Sequence, residues 1–234
     1  MFERAHHQRI ASVLEALDAD ALLASACLFG GGTAMALRFG EYRESVDVDF
    51  LVSDREGYRR LRQALTGLSG INALVREGQA LHQTREMRAD QYGLRTLLRV
   101  DGVNIKFEIV LEGRITLEAP DADDRICGVA TLTALDMATS KLLANSDRWR
   151  DDAVFSRDLI DLAMLKPSKT LMRQAIDKAS AAYGQSIESD LAKAITYLRE
   201  HPQRLDLCME KMGMQTLSRA ALWSRIRAVA RAAA

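Results

Sequence analysis

Residues 30–52 read GGGTAMALRFGEYRESVDVDFLV, and this stretch decides the fold. Gly30, Gly31 and Gly32 follow a short apolar run at 24–29 and precede TAMALRF, whose Ala, Met and Leu content favours a helix. The order is therefore strand, glycine turn, helix. Residues 46–52 are β-branched and alternating, which predicts a second strand with Val48, Phe50 and Val52 on one face and Asp47 and Asp49 on the other. Ser53, with Glu56 three residues on, reads as a capping box opening a helix at 54–66.

Upstream, Ile10, Val13, Leu14 and Leu17 recur at helical spacing and predict one helix over 2–18. Downstream, the texture over 71–118 is that of strands. A hairpin is expected at 93–111, turned by Asp101-Gly102, because this dipeptide tolerates the positive φ angles of a tight turn. In its second arm Ile105, Phe107, Ile109 and Leu111 share one face, and Lys106 and Glu108 the other. Residues 119–130, with Pro120 and several charges, read as a connection. Thr133 with Asp136 forms another capping box, and helices are expected at 133–146, 156–166, 168–183, 187–200 and 206–231, with breaks at Pro167 and Pro202. The architecture is an α/β part over 1–130 followed by an all-α part over 131–234.

Hydrophobic residues make up 48% and charged residues 27% of the 234, which excludes disordered and fibrous classes. Lys+Arg and Asp+Glu both number 32, so any hold on nucleic acid must come from a local patch. Cys27, Cys127 and Cys208 lie far apart with no metal-ligand spacing, which fits buried thiols in a reducing compartment and predicts a cytoplasmic protein. Neither a secretory leader nor a membrane span is expected.

Asp-x-Asp occurs three times, at 18/20, 47/49 and 121/123, so the pair alone signals little. The first sits at a helix end and the third in a loop, where turn chemistry explains both. Asp47 and Asp49 differ because they share one side of a strand. Two carboxylates about 5 Å apart repel by roughly 3 kcal/mol at an effective dielectric near 20, a cost that a divalent cation removes. Oxygen ligands without His or Cys select Mg²⁺ or Mn²⁺, which complete their shells with substrate phosphates. Glu108 is the third expected ligand, provided its strand neighbours 46–52. Gly31, Gly32 and Thr33, at a helix start, offer backbone N–H groups to the phosphates of a nucleoside triphosphate. The plainer alternative is a strand-to-helix turn beside a solvated sheet edge. Arg43 and Ser45 either hold phosphates or satisfy loop carbonyls. His6 and His7 read as surface residues. Arg85, Arg88, Arg95 and Arg99, with Arg219, Arg225, Arg227 and Arg231, form either a groove for RNA phosphates or solvated faces.

The quoted stretch resembles the first motif of nucleotidyltransferases with the polymerase β fold, specifically the AbiEii/AbiGii-type toxins, which read GG-[ST]-A-L and then R-x-S-x-D-[IV]-D-F. Gly31, Gly32, Thr33, Ala34, Arg43, Ser45, Asp47, Asp49 and Phe50 fall in place, with Met35 for the usual Leu. A second family motif is matched by Lys141, Arg148 and Arg157-Asp158-Leu-Ile-Asp161-Leu162. The likeness covers about residues 24–165. It implies an α+β protein: a polymerase β-type nucleotidyltransferase domain, its mixed sheet flanked by helices, followed by a helical domain that completes the cleft.

What the resemblance implies chemically is transfer of a nucleotide from an NTP to an RNA, tRNA included, or a protein. Asp47, Asp49 and Glu108 would hold Mg²⁺ or Mn²⁺, or Glu108 would take the proton of the attacking hydroxyl. Lys141 would neutralise the triphosphate. Asp158 and Asp161 would position that lysine, contact the nucleotide or bind the second substrate; the alternative for them is a surface ion pair. Such proteins are toxins of bacterial toxin–antitoxin or phage-defence pairs, neutralised by an antitoxin or repressor. Kinase-like γ-phosphoryl transfer and a non-catalytic nucleotide-binding module remain as rival readings.

Overall fold

The computed structural model describes residues 2–234 and divides into two compact units. The first comprises the chain up to Arg38 together with Ser45–Thr133; the second comprises Phe39–Glu44 and Ala134–Ala234. The division in the main chain falls three residues beyond the boundary expected from sequence, and the segment Phe39–Glu44 is counted with the helices.

In the first unit the expected N-terminal helix is two. Helix α1 (Ala5–Ala16) ends before Asp18, whose carboxylate accepts from Asp20 N and Ala21 N and so opens α2 (Ala19–Ala24). Apolar periodicity continues across that break, which is why the sequence reads as one element. Strand β1 (Cys27–Phe29) leads through the glycines into α3 (Gly31–Arg38); β2 (Val48–Val52) leads into α4 (Arg55–Leu65). Asp54, not Ser53, caps α4 by accepting from Glu56 N and Gly57 N, while the Ser53 hydroxyl accepts from Leu117 N. Much of 71–92 is irregular, with a 3-10 turn at Gly70–Leu74 and two short strands, β3 (His82–Gln83) and β4 (Arg88–Ala89). The hairpin forms as read: β5 (Gly93–Val100) and β6 (Val103–Leu111) join through Asp101 and Gly102, with φ of 49° and 78°. The expected connection at 119–130 contains a small hairpin, β7 (Arg125–Ile126) and β8 (Val129–Ala130).

Strand order is β1-β2-β6-β5-β3, with β4 also on β5. The sheet is mixed: β2 runs parallel to β6, and the other pairs are antiparallel. Its buried side carries Phe29, Phe50 and Phe107, whose ring centroids step 5.5 and 5.6 Å across three strands, over Val48, Val52, Ile105 and Ile109. This packing fixes the register, because a slip of one residue would send the aromatic rings to the polar side.

The second unit is helical: α5 (Ala134–Arg148), α6 (Arg157–Leu165), α7 (Lys169–Tyr183), α8 (Ser186–Glu200), α9 (Pro202–Lys211) and α10 (Arg219–Ala233). The last two replace the single helix expected at 206–231, since Ser218 accepts from Ala221 N and starts a new one. Pro202 opens α9 at its first turn, where its missing N–H costs nothing. Helix α5 packs against α6, α7 and α8, and α10 closes over the same three. Two consecutive non-glycine residues, Phe155 and Ser156, take left-handed φ of 52° and 50° immediately before α6.

Candidate functional site

In the first unit the site grows from the contact between the glycine turn and β2. The N–H of Gly30 donates to the Asp49 carbonyl at 2.9 Å. Gly31 has φ of 67°, and a Cβ built on it would stand 2.6 Å from Asp49 Oδ2. Only glycine satisfies both conditions, so the turn and the carboxylate are made for each other. Gly31→Ala is expected to cost about 1–3 kcal/mol of stability through the positive φ and the contact. It should also displace the Asp49 carboxylate, and urea unfolding together with a Mn²⁺ binding titration would register the two losses.

Asp47 lies one residue ahead of β2 and not within it, and its backbone is held from the side. The Thr33 hydroxyl donates to the Asp47 carbonyl and also lies 2.8 Å from Ser45 Oγ. The N–H of Ser45 donates to His7 Nε2 at 3.2 Å. His7 is fully buried, which corrects its reading as a surface residue: it anchors the loop that presents Asp47. His6 reaches the Val46 carbonyl beside it. Nothing in a lone histidine pair on a helix signals that role in the sequence.

Glu108 stands opposite Asp49 in the parallel register of β2 and β6, as required of the third acid. Both its oxygens are engaged, Oε1 by Arg95 Nε and Oε2 by Lys106 Nζ. Arg95, directly across the hairpin from Glu108, also pairs with Asp90 at 2.8 Å. Burial opposes the charge on Lys106, yet Glu108, then Asp49 and Asp47, raise its pKa above the usual lysine value. Burial opposes the Arg95 charge too, and Glu108 and Asp90 outweigh it. Among the described residues no three His, Cys, Asp or Glu side chains converge as a ready metal cage, and Glu108 is engaged by two cations. The donor set nonetheless fits a hard divalent ion: Asp47, Asp49 and Glu108 supply only oxygen, Gly31 leaves the approach clear of a Cβ, and a cationic group is already drawn into the cluster.

The second unit holds a separate ionic knot around α6. Asp161, fully buried, accepts from Tyr42 Oη at 2.6 Å, from Arg43 Nε at 2.7 Å and Nη2 at 2.9 Å, and from Lys141 Nζ at 2.6 Å. Asp158 takes Lys141 Nζ at 3.2 Å and a two-pronged contact from Arg148 at 2.7 and 2.9 Å. Asp158, Asp161, Lys141 and Arg43 are buried, with Arg148 half-buried at the edge, which removes the surface-ion-pair alternative for the two acids. Burial pushes the Asp161 carboxyl up, but Arg43 and Lys141 hold it far below the usual carboxylate range. Burial likewise opposes the lowering of Asp158, with Lys141 and Arg148 prevailing. The remaining Arg43 nitrogen donates to the Glu44 carbonyl at 2.8 Å, so its whole fork is engaged within the unit. Three cations, Arg43, Lys141 and Arg148, thus converge on the two α6 carboxylates, with Asp147 also acting on Arg148. Tyr42 was not signalled by the sequence; its adjacency to Arg43 becomes meaningful only once both reach Asp161. The C-terminal arginines do not gather: Arg219 pairs with Asp206, and Arg225 reaches Met164 Sδ.

The sequence profile of the nucleotidyl transferase AbiEii toxins, of type IV toxin–antitoxin systems, matches residues 12–229. The chain belongs to this family. AbiEii membership makes it a nucleotidyltransferase, and the match runs through α7–α10, which no motif read in the sequence had reached. Among solved structures it resembles JHP933 from Helicobacter pylori, with 16% identity, a TM-score of 0.52 and coverage of 100% of this chain and 95% of that one. A second H. pylori crystal structure, described as a nucleotidyltransferase by assignment, aligns with 16% identity, a TM-score of 0.51 and coverage of 97% and 94%. At such identity the likeness establishes the shared α+β fold. No curated protein sequence matches. Among the described residues no helix of this AbiEii protein is long and apolar enough to cross a membrane.

Proposed function

We propose that this AbiEii protein is a Mg²⁺- or Mn²⁺-dependent toxin that moves an NMP from an NTP onto an RNA hydroxyl, tRNA among the RNAs, and is held in check by a cognate antitoxin or repressor. The observation that carries this reading is the placement of Asp49 against Gly31 on one side and in register with Glu108 on the other. Bound there, divalent metal would stabilise the entering and leaving oxygens of an in-line displacement at the α-phosphorus, with pyrophosphate leaving. Asp47, Asp49 and Glu108 would hold it. The engagement of both Glu108 oxygens by cations favours the ligand role over that of proton acceptor.

Gly31, Gly32 and Thr33 present the start of α3 to the phosphates, with the Thr33–Ser45 contact fixing the loop between the motif's two ends. By the family motif Lys141 serves the triphosphate. Asp158 and Asp161 orient it as neighbours on α6, and Arg43 keeps Asp161 ionised. An RNA acceptor is supported by basic residues on the acid-bearing face of the sheet: Arg88 is registered with Arg95, and His82 with Arg99.

Purified protein incubated with Mg²⁺, bacterial RNA and protein, and NTPs labelled at either the α or γ phosphate tests the reading. Label passing from the α position to RNA, and absent with Asp49→Ala, is the expected result. Transfer to protein would replace the acceptor class. Label arriving only from the γ position would establish kinase chemistry instead, and nucleotide binding without transfer would leave a binding module.

A further inference from the structure

We propose that Lys106 is an internal counter-cation of the acidic centre, holding Glu108 away from Asp47 and Asp49 until a divalent ion displaces it. The inference rests on the reading of those three acids as metal ligands. Lys106 and Glu108 are two residues apart on β6 and so project from the same face of the sheet, the face on which Asp49 is registered with Glu108. The lysine ammonium pairs with Glu108 Oε2, and the arginine on the neighbouring strand takes Oε1.

The two cations differ in what binds them. Arg95 is fixed on both sides, by Glu108 and by Asp90, and stays as part of the sheet. Lys106 pairs with Glu108 from the more exposed side, its charge also drawn by Asp49 and Asp47. Its side chain is 43% exposed, so it can swing into solvent on its flexible stem at little cost. The groups facing it are Glu108, Asp49 and Asp47, the same set that would ligate metal. One monovalent ammonium and a divalent ion therefore compete for one cluster of negative charge. Without the lysine the three acids would repel each other in the metal-free protein; with it, the centre is stable but closed. Release of Glu108 would also complete a three-carboxylate set that the structure does not bring together.

Mn²⁺ titration followed by electron paramagnetic resonance reads this directly, with no turnover required. Lys106→Gln and Lys106→Met are expected to bind Mn²⁺ about tenfold or more tightly than the wild type, because a like charge beside the dication is gone. Lys106→Arg, which keeps the charge, should bind as the wild type does. In metal-free buffer the Gln variant should melt at a lower temperature and recover on addition of Mg²⁺. In a Glu108→Gln background the gain from Lys106→Gln should shrink, since the acid it guards is neutral. Unchanged or weaker Mn²⁺ binding by folded Gln and Met variants would overturn the proposal while leaving the metal centre intact. If neither wild type nor variants bind Mn²⁺, the metal-centre reading itself falls, and this one with it.

Discussion

Asp161→Asn is expected to lower stability by about 3–5 kcal/mol, the range seen when one partner of a buried ionic cluster is removed. The amide keeps the shape but abandons two cations, Arg43 and Lys141, in a region where Asp161 is fully buried and Arg43 is 4% exposed. It also trades an acceptor for a donor beside the Tyr42 hydroxyl, which would then compete for the one remaining oxygen. Urea unfolding monitored by circular dichroism gives the value; a loss under about 1 kcal/mol would show the knot to be dispensable.

The same cluster sets the response to acid. Asp161 and Asp158 titrate lower in the folded protein than unfolded, so their contribution is complete above the unfolded carboxylate value, about pH 4, and is lost as pH falls through the folded one. The wild type should therefore lose stability steeply below about pH 4, and Asp161→Asn should show a shallower fall over the same window. Parallel curves would contradict the assignment.

The largest effect on activity is expected at Asp49. Asp49→Asn preserves volume but removes the charge that stands between Gly31 and Glu108, and nucleotidyl transfer should drop by at least about 10³-fold, or roughly 4 kcal/mol of transition-state stabilisation. Stability should move by less than about 1 kcal/mol, because relief of repulsion with Asp47 offsets any loss in pairing. That separation of activity from stability is the diagnostic. Single-turnover transfer from α-labelled NTP, beside a thermal melt, measures both. An active Asn variant would remove Asp49 from the proposed metal centre, whereas an inactive and unfolded one would assign it to the fold.

The sheet was legible because its signals are local. Phe50 alternates with Asp49 and Asp47, and Asp101-Gly102 marks a turn that needs no distant partner. Glu108 was legible as a face but not as a neighbour, since register between β2 and β6 is set by the aromatic packing beneath them. Less visible still was what occupies it. Lys106-Phe-Glu108 tells only that two charges share a side, and nothing local tells that Arg95 completes the pair from across the hairpin. His7 and Tyr42 escaped for the same reason: each acts through a contact far along the chain. In the helical half, Pro202 announced its break, while the boundary at Ser218 lay inside a pattern that stayed amphipathic throughout.

The assignment of Phe39–Glu44 to the helical unit limits how this chain can be rearranged by recombination. A crossover after Thr133 would yield an α/β half carrying an orphan loop and a helical half lacking Tyr42 and Arg43, with Asp161 stripped of two of its three partners. Neither piece would be a transferable cassette. Lineages of such a chain are thus expected to diversify by substitution along an intact reading frame, and any engineered chimera must carry the six-residue segment together with the helices it serves.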